Sequence, residues 1–297
     1  MSEDGKFFIL GVGAQKAGTT WLASQLEKTS FFSNAGIKEF HIFNKLLIKS
    51  NSKKNPHKSI QKAKINRHIK RRCKQGHELL ISPRVAMRLS PSAYFDFFDY
   101  LYLRQPDVSH VGDITPAYST LSRKTLSSIR DGLMAKNFQP KVIFLMRDPV
   151  ERSWSQLRMN NRFKVERKNT ITTPEQEFKA LKNFHKSRSC VQRTRYDIIS
   201  KKLESAFEPN QIFYGFYETL FSQVEINRLT KFLECPAITP EFGKVVHASP
   251  KTNVKLEGLT ELLQEIRAFY APTYTWARDR FGAAVPAACG DCEPDLV

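Results

Sequence analysis

Eight residues near the N-terminus, Gly-Ala-Gln-Lys-Ala-Gly-Thr-Thr at positions 13–20, have the composition of an anion-binding loop. They follow a short apolar run, residues 7–12, and precede an amphipathic stretch. A strand, a glycine loop and a helix in that order present free backbone N–H groups to a phosphate. The spacing G-x-x-x-x-G of the common nucleotide-binding loop is present, but Thr19 stands where that loop has lysine, and the lysine is Lys16. The pattern predicts a site for a phosphate-like group other than that of ATP or GTP.

A second candidate phosphate contact is Arg147, which directly follows the apolar run 142–146. An ATPase or GTPase needs an acid at that position to help hold Mg²⁺. A guanidinium instead suits direct capture of a phosphate, because it presents paired donors. Ser155 lies about two helical turns further on and can point its hydroxyl to the same edge. The alternative is that Arg147 forms a surface ion pair with Asp148 or Glu151.

The elements that must position these residues alternate along the chain. Short apolar runs predict strands at 7–12, 108–112, 142–146 and 212–216. Helical periodicity predicts helices at 20–26, 91–103, 196–207, 223–233 and 256–270. Alternating strands and helices indicate a three-layer α/β/α fold with a central parallel sheet, in which ligands bind at the carboxyl ends of strands. We expect one domain over residues 1–285, with a basic insertion at about 45–75 and a flexible tail at 286–297.

The charge is strongly basic and uneven. The 297 residues carry a formal net charge of +18, and residues 45–74 contain twelve Lys and Arg but no acidic residue. Such a run attracts polyanions, or it is simply a solvated basic excursion. The sequence shows neither a membrane-spanning apolar stretch nor a signal peptide, and its scattered cysteines suit a reducing compartment, so we expect a cytoplasmic protein. Cys289 and Cys292 form a C-x-x-C without a second ligand pair, and we expect no metal.

Taken together, the two phosphate motifs resemble those of the sulfotransferases that use 3′-phosphoadenosine 5′-phosphosulfate (PAPS). Residues 13–20 resemble the family's 5′-phosphosulfate loop, and residues 147–155 resemble its 3′-phosphate element, R-D-P-x-x-R-x-x-S. Weaker similarity continues in GDITPAYS at 112–119, in the block at 195–220 and in the closing helix at 269–282. The resemblance is to bacterial and Golgi carbohydrate-type members and implies a P-loop-like fold.

The resemblance implies which residues bind the donor. Lys16 would neutralise charge on the leaving nucleotide without a metal. Arg147 and Ser155 would hold the 3′-phosphate, and Trp21 would face the adenine, although a core role suits that tryptophan equally well. The full set of implied donor contacts is Gly13, Gln15, Lys16, Ala17, Gly18, Thr19, Thr20, Trp21, Arg147, Ser155 and Lys251.

The resemblance also implies a base, because an acceptor hydroxyl is a poor nucleophile. Residues 36–45 are similar to the K-E-x-H-F-F segment of carbohydrate sulfotransferases, which makes Glu39 the base, with Lys38 and His41 beside it. Small-molecule sulfotransferases use a histidine, so His41 and His110 remain alternatives. Asp113 could orient the base or the acceptor, or it could cap a turn.

The implied function is sulfuryl transfer from PAPS to a hydroxyl or amine of an acceptor. A carbohydrate-like acceptor is favoured, and the basic stretches at 45–74 and 158–168 suit an anionic one. We expect no nucleic acid partner and no membrane span. Two alternatives stay open: an NTP-dependent kinase on a similar loop, which would require Mg²⁺, and a basic nucleic-acid-binding protein.

Overall fold

The computed structural model describes residues 5–46, 67, 71, 82–168, 173–243 and 257–286, with the backbone alone at 164–168. Most of the predicted basic insertion, Lys251 and the C-x-x-C cysteines lie outside the described residues. The domain limits therefore stay a prediction.

Within the described ranges five strands form one sheet: β1 (Phe7–Gly13), β2 (Phe32–Ser33), β3 (His110–Ile114), β4 (Gln139–Met146) and β5 (Ile212–Phe216). The α-helices of the same ranges are α1 (Thr19–Leu26), α2 (Pro83–Leu89), α3 (Ser92–Leu103), α4 (Arg123–Met134), α5 (Pro149–Lys168), α6 (Pro174–Phe184), α7 (Arg188–Thr194), α8 (Tyr196–Glu204), α9 (Tyr217–Leu220), α10 (Gln223–Leu233), α11 (Leu259–Phe269) and α12 (Ala271–Phe281). Short 3₁₀ segments include Phe43–Lys45 and Pro116–Thr120.

The sheet is parallel throughout, with the strand order β2-β3-β1-β4-β5. Every residue of β1, β3 and β5 is buried, so helices must cover both faces, as apolar strands without alternation require. The predicted α/β class is confirmed. The predicted strands and helices are all present, with ends shifted by up to three residues, whereas β2 spans only two residues and shows no sequence pattern.

An aromatic cluster joins the core to the region after β2. The rings of Phe8, Tyr94 and Phe40 each lie 4.8–5.0 Å from the ring of Phe98, centroid to centroid. Phe40 is completely buried, and it stands between Glu39 and His41 in the sequence. Burial of this one ring therefore anchors the turn that carries both candidate bases.

The predicted binding edge is formed by the carboxyl ends of the three central strands. β1 ends at Gly13, β3 at Ile114 and β4 at Met146; Lys16 follows β1, Arg147 follows β4, and Asp113 lies at the end of β3. None of the helices in the described ranges has both the length and the apolar composition needed to cross a bilayer.

Gly112 marks the closest approach of two strands and yields a test of the packing. A Cβ atom at this position would lie 2.5 Å from the Ile9 carbonyl oxygen and 3.0 Å from the ring of Phe32. We expect Gly112→Ala to lower the free energy of unfolding by about 1–3 kcal/mol, because backbone cannot move aside cheaply. Equilibrium urea unfolding measures this.

The matched control is Gly243→Ala. A Cβ atom at Gly243 would meet nothing within 4 Å. That substitution should change the unfolding free energy by no more than about 0.5 kcal/mol. Equal effects of the two alanines would contradict the strand packing described above.

Candidate active site

The loop after β1 leaves the start of α1 open to a ligand. Gly18 is the N-cap residue of α1, with φ 83° and ψ 3°, and no side chain caps the helix. The first helical hydrogen bond joins the Leu22 N–H to the Gly18 carbonyl at 3.0 Å. The N–H groups of Thr19, Thr20 and Trp21 consequently have no partner within the helix. They form, together with the helix dipole, a positive end that suits an anion.

Glycine is required at both ends of this loop. Gly13 has φ +144°, and a Cβ there would lie 3.1 Å from both the Pro116 oxygen and the Ser119 Cβ. Gly18 has φ +83°, and a Cβ there would lie 2.6 Å from the Leu220 side chain. The loop is thus packed against the segment after β3 on one side and against α9 on the other, which holds its N–H groups in place.

Lys16 and Arg147 are brought together at this edge. Nη1 of Arg147 donates to the Lys16 carbonyl at 3.4 Å. Burial lowers the pKa of the Lys16 ammonium, and the cationic side chains of Arg162 and Arg147 lower it further. Lys16 therefore stands in an excess of positive charge, and α5 contributes to it through Arg162.

The alternative role of Arg147, a surface ion pair, is present in part. Its Nη2 lies 3.1 Å from a carboxylate oxygen of Glu151, which is half exposed. The guanidinium also stacks 4.4 Å from the ring centroid of Tyr217, and the Tyr196 hydroxyl donates to the Arg147 carbonyl at 2.8 Å. The Tyr217 ring orients the guanidinium, and the Tyr196 hydroxyl holds the backbone of Arg147. The ion pair with the half-exposed Glu151 contributes little to stability, so a ligand can replace it.

Asp148 is engaged as a helix cap. One carboxylate oxygen accepts from the Glu151 N–H at 2.9 Å, at the start of α5. The other accepts from the Tyr274 hydroxyl at 2.6 Å. The acid that follows β4 is therefore committed to structure. Ser155, further along α5, is 7% exposed, and none of the described hydrogen bonds joins it to Arg147.

Arg152 belongs to the same motif, but the sequence alone indicated no role for it. It is completely buried, and its Nη2 donates to Gln156 Oε1 at 2.8 Å and to Cys190 Sγ at 3.0 Å. Its Nη1 reaches the Gln15 carbonyl at 3.5 Å, and its Nε has no partner. Within the described part of the chain no carboxylate pairs with it. Arg152 therefore supports the loop through the Gln15 carbonyl, and its positive charge has no described carboxylate beside it.

The turn after β2 joins two of the predicted catalytic residues. Glu39 and His41 both have left-handed backbone, with φ 51° and 54°. The Glu39 carboxylate lies 2.9 Å from His41 Nε2, and both side chains are partly exposed. The Asn44 amide donates to His41 Nδ1 at 3.1 Å. Since Nδ1 accepts, Nε2 carries the proton and donates to Glu39.

The turn is held by a polar network around Asp113, at the end of β3. The N–H groups of Phe40 and Ile42 donate to Asp113 Oδ1 at 3.4 Å and to the Tyr118 hydroxyl at 3.1 Å. The carboxylate of Asp113, which is fully buried, also accepts from the hydroxyl groups of Tyr118, Tyr94 and Thr115, at 2.8, 3.1 and 2.5 Å. These long-range contacts are those of an orienting residue rather than of a local turn cap.

His110 is excluded as the base by its position. It is the first residue of β3, paired with Phe7, and so lies at the edge of the sheet opposite the loop. It is buried, its ring stacks 4.7 Å from that of Phe7, and its Nε2 contacts the Leu233 carbonyl at 2.7 Å. Burial lowers the pKa of its imidazole. Its burial and its ring contacts are those of a histidine packed in the core.

Trp21 has the contacts of a core residue. It is 2% exposed, its indole N–H donates to the Glu241 carbonyl at 3.3 Å, and its ring lies parallel to that of Phe242, 6.1 Å away. Adenine contact by Trp21 stays a prediction. Lys38 is exposed beside Glu39, and the predicted contact Lys251 lies outside the described residues.

Comparison with known proteins gives a consistent result. The family model described as "Sulfotransferase domain" matches residues 5–266. A search of curated proteins finds no match. Among solved structures, a sulfotransferase from Alicyclobacillus acidocaldarius is similar with a TM-score of 0.55 and 16% identity, covering 94% of this chain and 96% of that chain. At this identity the structural likeness concerns the fold alone.

Two further structures are similar at lower scores. The sulfotransferase domain of the Synechococcus PCC 7002 olefin synthase has a TM-score of 0.43 and 15% identity, covering 90% of each chain. A sulfotransferase domain from the curacin biosynthetic pathway has a TM-score of 0.41 and 18% identity, covering 82% of this chain and 77% of that chain.

The buried carboxyl of Asp113 predicts a specific pH dependence of stability. Burial raises the pKa of this carboxyl above its ordinary value, although its hydrogen-bond donors oppose the shift. The folded state then binds the proton more readily than the unfolded state, so the stabilisation is largest at low pH and is lost as pH rises through the folded-state pKa. The unfolding free energy of the wild type minus that of Asp113→Asn should therefore decrease from about pH 4 to pH 7.

Urea unfolding at several pH values measures this difference. Asp131→Asn, at a carboxylate whose side chain is 64% exposed, is the matched control, and its difference should stay nearly flat. A difference that increases with pH for Asp113→Asn would show instead that the four donors stabilise the anion more than burial destabilises it.

Proposed function

Because the chain belongs to the sulfotransferase family, we propose that it transfers a sulfuryl group from PAPS to a hydroxyl or amine of an acceptor, with Glu39 as the base. Family membership makes the protein a transferase, and sulfotransferases generally take PAPS as donor. The observation that carries the proposal is the contact between Arg147 and the Lys16 carbonyl, which unites the two predicted phosphate-binding elements at one edge of the sheet.

The loop and its surroundings have the chemistry of a donor site. The open N-terminus of α1 and the Lys16 ammonium would hold the 5′-phosphosulfate. The guanidinium of Arg147 would hold the 3′-phosphate by exchanging its exposed pair with Glu151, and Ser155 would assist from α5. A bound anion would also offset the repulsion among Lys16, Arg147 and Arg162 that lowers the pKa of Lys16.

The proposed reaction is a balanced group transfer. A bond forms between the acceptor oxygen or nitrogen and sulfur, while the bond between sulfur and the bridging phosphate oxygen breaks. The electron pair leaves on that oxygen, which becomes part of adenosine 3′,5′-bisphosphate. Lys16 would stabilise the developing negative charge, and Glu39 would take the acceptor proton.

The hydrogen bond of the turn supports distinct roles for Glu39 and His41. Nε2–H of His41 donates to the Glu39 carboxylate, and Nδ1 is engaged by Asn44. In this tautomer the imidazole has no free lone pair to accept a proton, whereas the carboxylate does. Glu39 is therefore the proposed proton acceptor, and His41 the residue that orients it.

We infer a carbohydrate-like acceptor from the similarity of the turn to the corresponding segment of carbohydrate sulfotransferases. The kinase alternative has no specific observation in its favour, since Asp148, which it would need for Mg²⁺, caps α5 and binds Tyr274. The basic run that suggested nucleic acid lies almost entirely outside the described residues.

Calorimetry of nucleotide binding tests the donor site. Adenosine 3′,5′-bisphosphate should bind more tightly than adenosine 5′-monophosphate and without Mg²⁺. Arg147→Ala should weaken bisphosphate binding roughly 10- to 100-fold, the cost of a lost charge-assisted hydrogen bond, and should leave the monophosphate nearly unaffected.

Arg104→Ala is the matched control, because it removes the same charge from an exposed position at the end of α3. It should leave both affinities unchanged. Tightest binding of ATP with Mg²⁺, or equal weakening by both alanines, would refute the proposed donor site.

Glu39→Gln tests the base. With sulfate transfer from labelled PAPS to a panel of sugars and alcohols, this variant should lower kcat by about 10²–10⁴-fold, while bisphosphate affinity stays constant. His41→Gln should cost less, because glutamine keeps a donor for Glu39. If His41→Gln is the more damaging of the two, the roles are reversed.

A further inference from the structure

Helix α2 places two arginines beside the candidate base. Arg84 and Arg88 are four residues apart and so share one face of α2. Nη2 of Arg84 donates to the Lys38 carbonyl at 2.7 Å, and Nε of Arg88 donates to the His41 carbonyl at 3.2 Å. The two guanidinium groups are thus fastened to the backbone on either side of Glu39.

Each guanidinium is fastened through one nitrogen only. No hydrogen bond within the described residues uses Nε or Nη1 of Arg84, or Nη1 or Nη2 of Arg88. A guanidinium that is oriented through one nitrogen, while the described residues engage neither of the other two, is prepared for planar, bidentate binding of a carboxylate or sulfate.

Carboxylate partners of these cations are absent from the described part of the chain. In the described ranges no ion pair is formed by Arg84, Arg88 or Lys45. Burial lowers the pKa of Lys45 and of Arg88, and Arg84 lowers both further, while Arg88 also lowers that of Lys45. Glu39 is the acid that opposes this charge at Lys45, and its carboxylate is already engaged by His41.

We propose that Arg84 and Arg88 select the acceptor by binding an anionic group, a carboxylate or sulfate, that the acceptor carries near the hydroxyl to be sulfated. This inference rests on the proposed function, since Glu39 marks the place where that hydroxyl must lie. The occupant is an anionic saccharide rather than a neutral sugar or alcohol. Lys45 adds to the local potential from the 3₁₀ segment Phe43–Lys45.

A purely structural role is the competing explanation, because both arginines also bind the backbone of the turn. Substitution by glutamine separates the two roles. Glutamine retains an N–H donor for the carbonyls of Lys38 and His41 but has no charge. The double variant Arg84→Gln/Arg88→Gln therefore tests charge recognition, with Arg104→Gln/Arg123→Gln, at two exposed arginines, as a control for net charge.

The experiment uses the full chain with bound adenosine 3′,5′-bisphosphate and three probes that share the p-nitrophenyl aglycone: p-nitrophenyl glucoside, p-nitrophenyl glucuronide and p-nitrophenyl glucoside 6-sulfate. Calorimetry should show at least about tenfold tighter binding of one or both anionic probes than of the glucoside. The double variant should lose most of that preference. With labelled PAPS, the same preference should appear in KM rather than in kcat.

The two anionic probes distinguish a carboxylate from a sulfate as the recognised group. Equal binding of all three probes to the wild type, or an equal loss for neutral and anionic probes in the double variant, would overturn the proposal. Failure of the bisphosphate to bind would refute the proposed function instead. In that case, probe binding measured without nucleotide would still test whether Arg84 and Arg88 recognise the anionic group.

Discussion

At the carboxyl edge of the sheet the cationic side chains are only partly neutralised by acidic ones, and the arrangement of the site depends on this excess of positive charge. Burial lowers the pKa of Lys16, and repulsion by Arg162 and Arg147 lowers it further. Behind them, burial and Arg152 lower the pKa of the Arg193 guanidinium. Like charges in a half-buried cleft cost free energy unless an anion offsets them. A bound anion, such as the nucleotide of the proposed reaction, would relieve this repulsion.

The fold stabilises these cations largely with neutral dipoles, and the one carboxylate described against them is that of the half-exposed Glu151, which pairs with Arg147. Arg152 contacts the Gln15 carbonyl, an amide oxygen and a thiol, and Arg147 contacts a carbonyl and an aromatic face. Nearby acids are used elsewhere: Asp148 caps α5, and Glu218 accepts from the Asp148 N–H at 2.9 Å. Burial raises the pKa of Glu218, which makes it a weaker counter-ion still. Dipoles hold a guanidinium in place without cancelling its charge, and that leaves the charge available to a ligand.

Local patterns in the sequence were sufficient for the phosphate loop and for Arg147, because a strand, its terminal glycine and the next few residues are determined over a short span. The pair Glu39–His41 is also local. In contrast, Asp113 acts on Phe40 and Tyr94, and Arg84 acts on Lys38, across dozens of residues, so no periodicity reveals them. The sequence left His110 open as an alternative base, and its position could not be predicted for a related reason. A strand read as apolar residues 108–112 lies two residues too early, and its true start at His110 places that ring at the opposite edge. Arg152 stands in the same motif as Arg147 but had no predicted role, because only packing shows that it is buried beneath the loop.

The segment 113–119 supports both the loop after β1 and the turn that carries Glu39, and so determines how the two lie relative to each other. Residues 113–119 contact the loop, where Gly13 lies against Pro116 and Ser119. The same segment supplies Tyr118 and Asp113 to the N–H groups of the Glu39 turn. The proposed in-line transfer would require the acceptor atom, the donor sulfur and the leaving oxygen to lie in line, with the base within hydrogen-bond reach of the acceptor, and a shared support would favour that geometry. The arginines of α2 contact the carbonyls of Lys38 and His41 in that turn instead, so the proposed recognition of the acceptor anion has a support of its own, separate from residues 113–119.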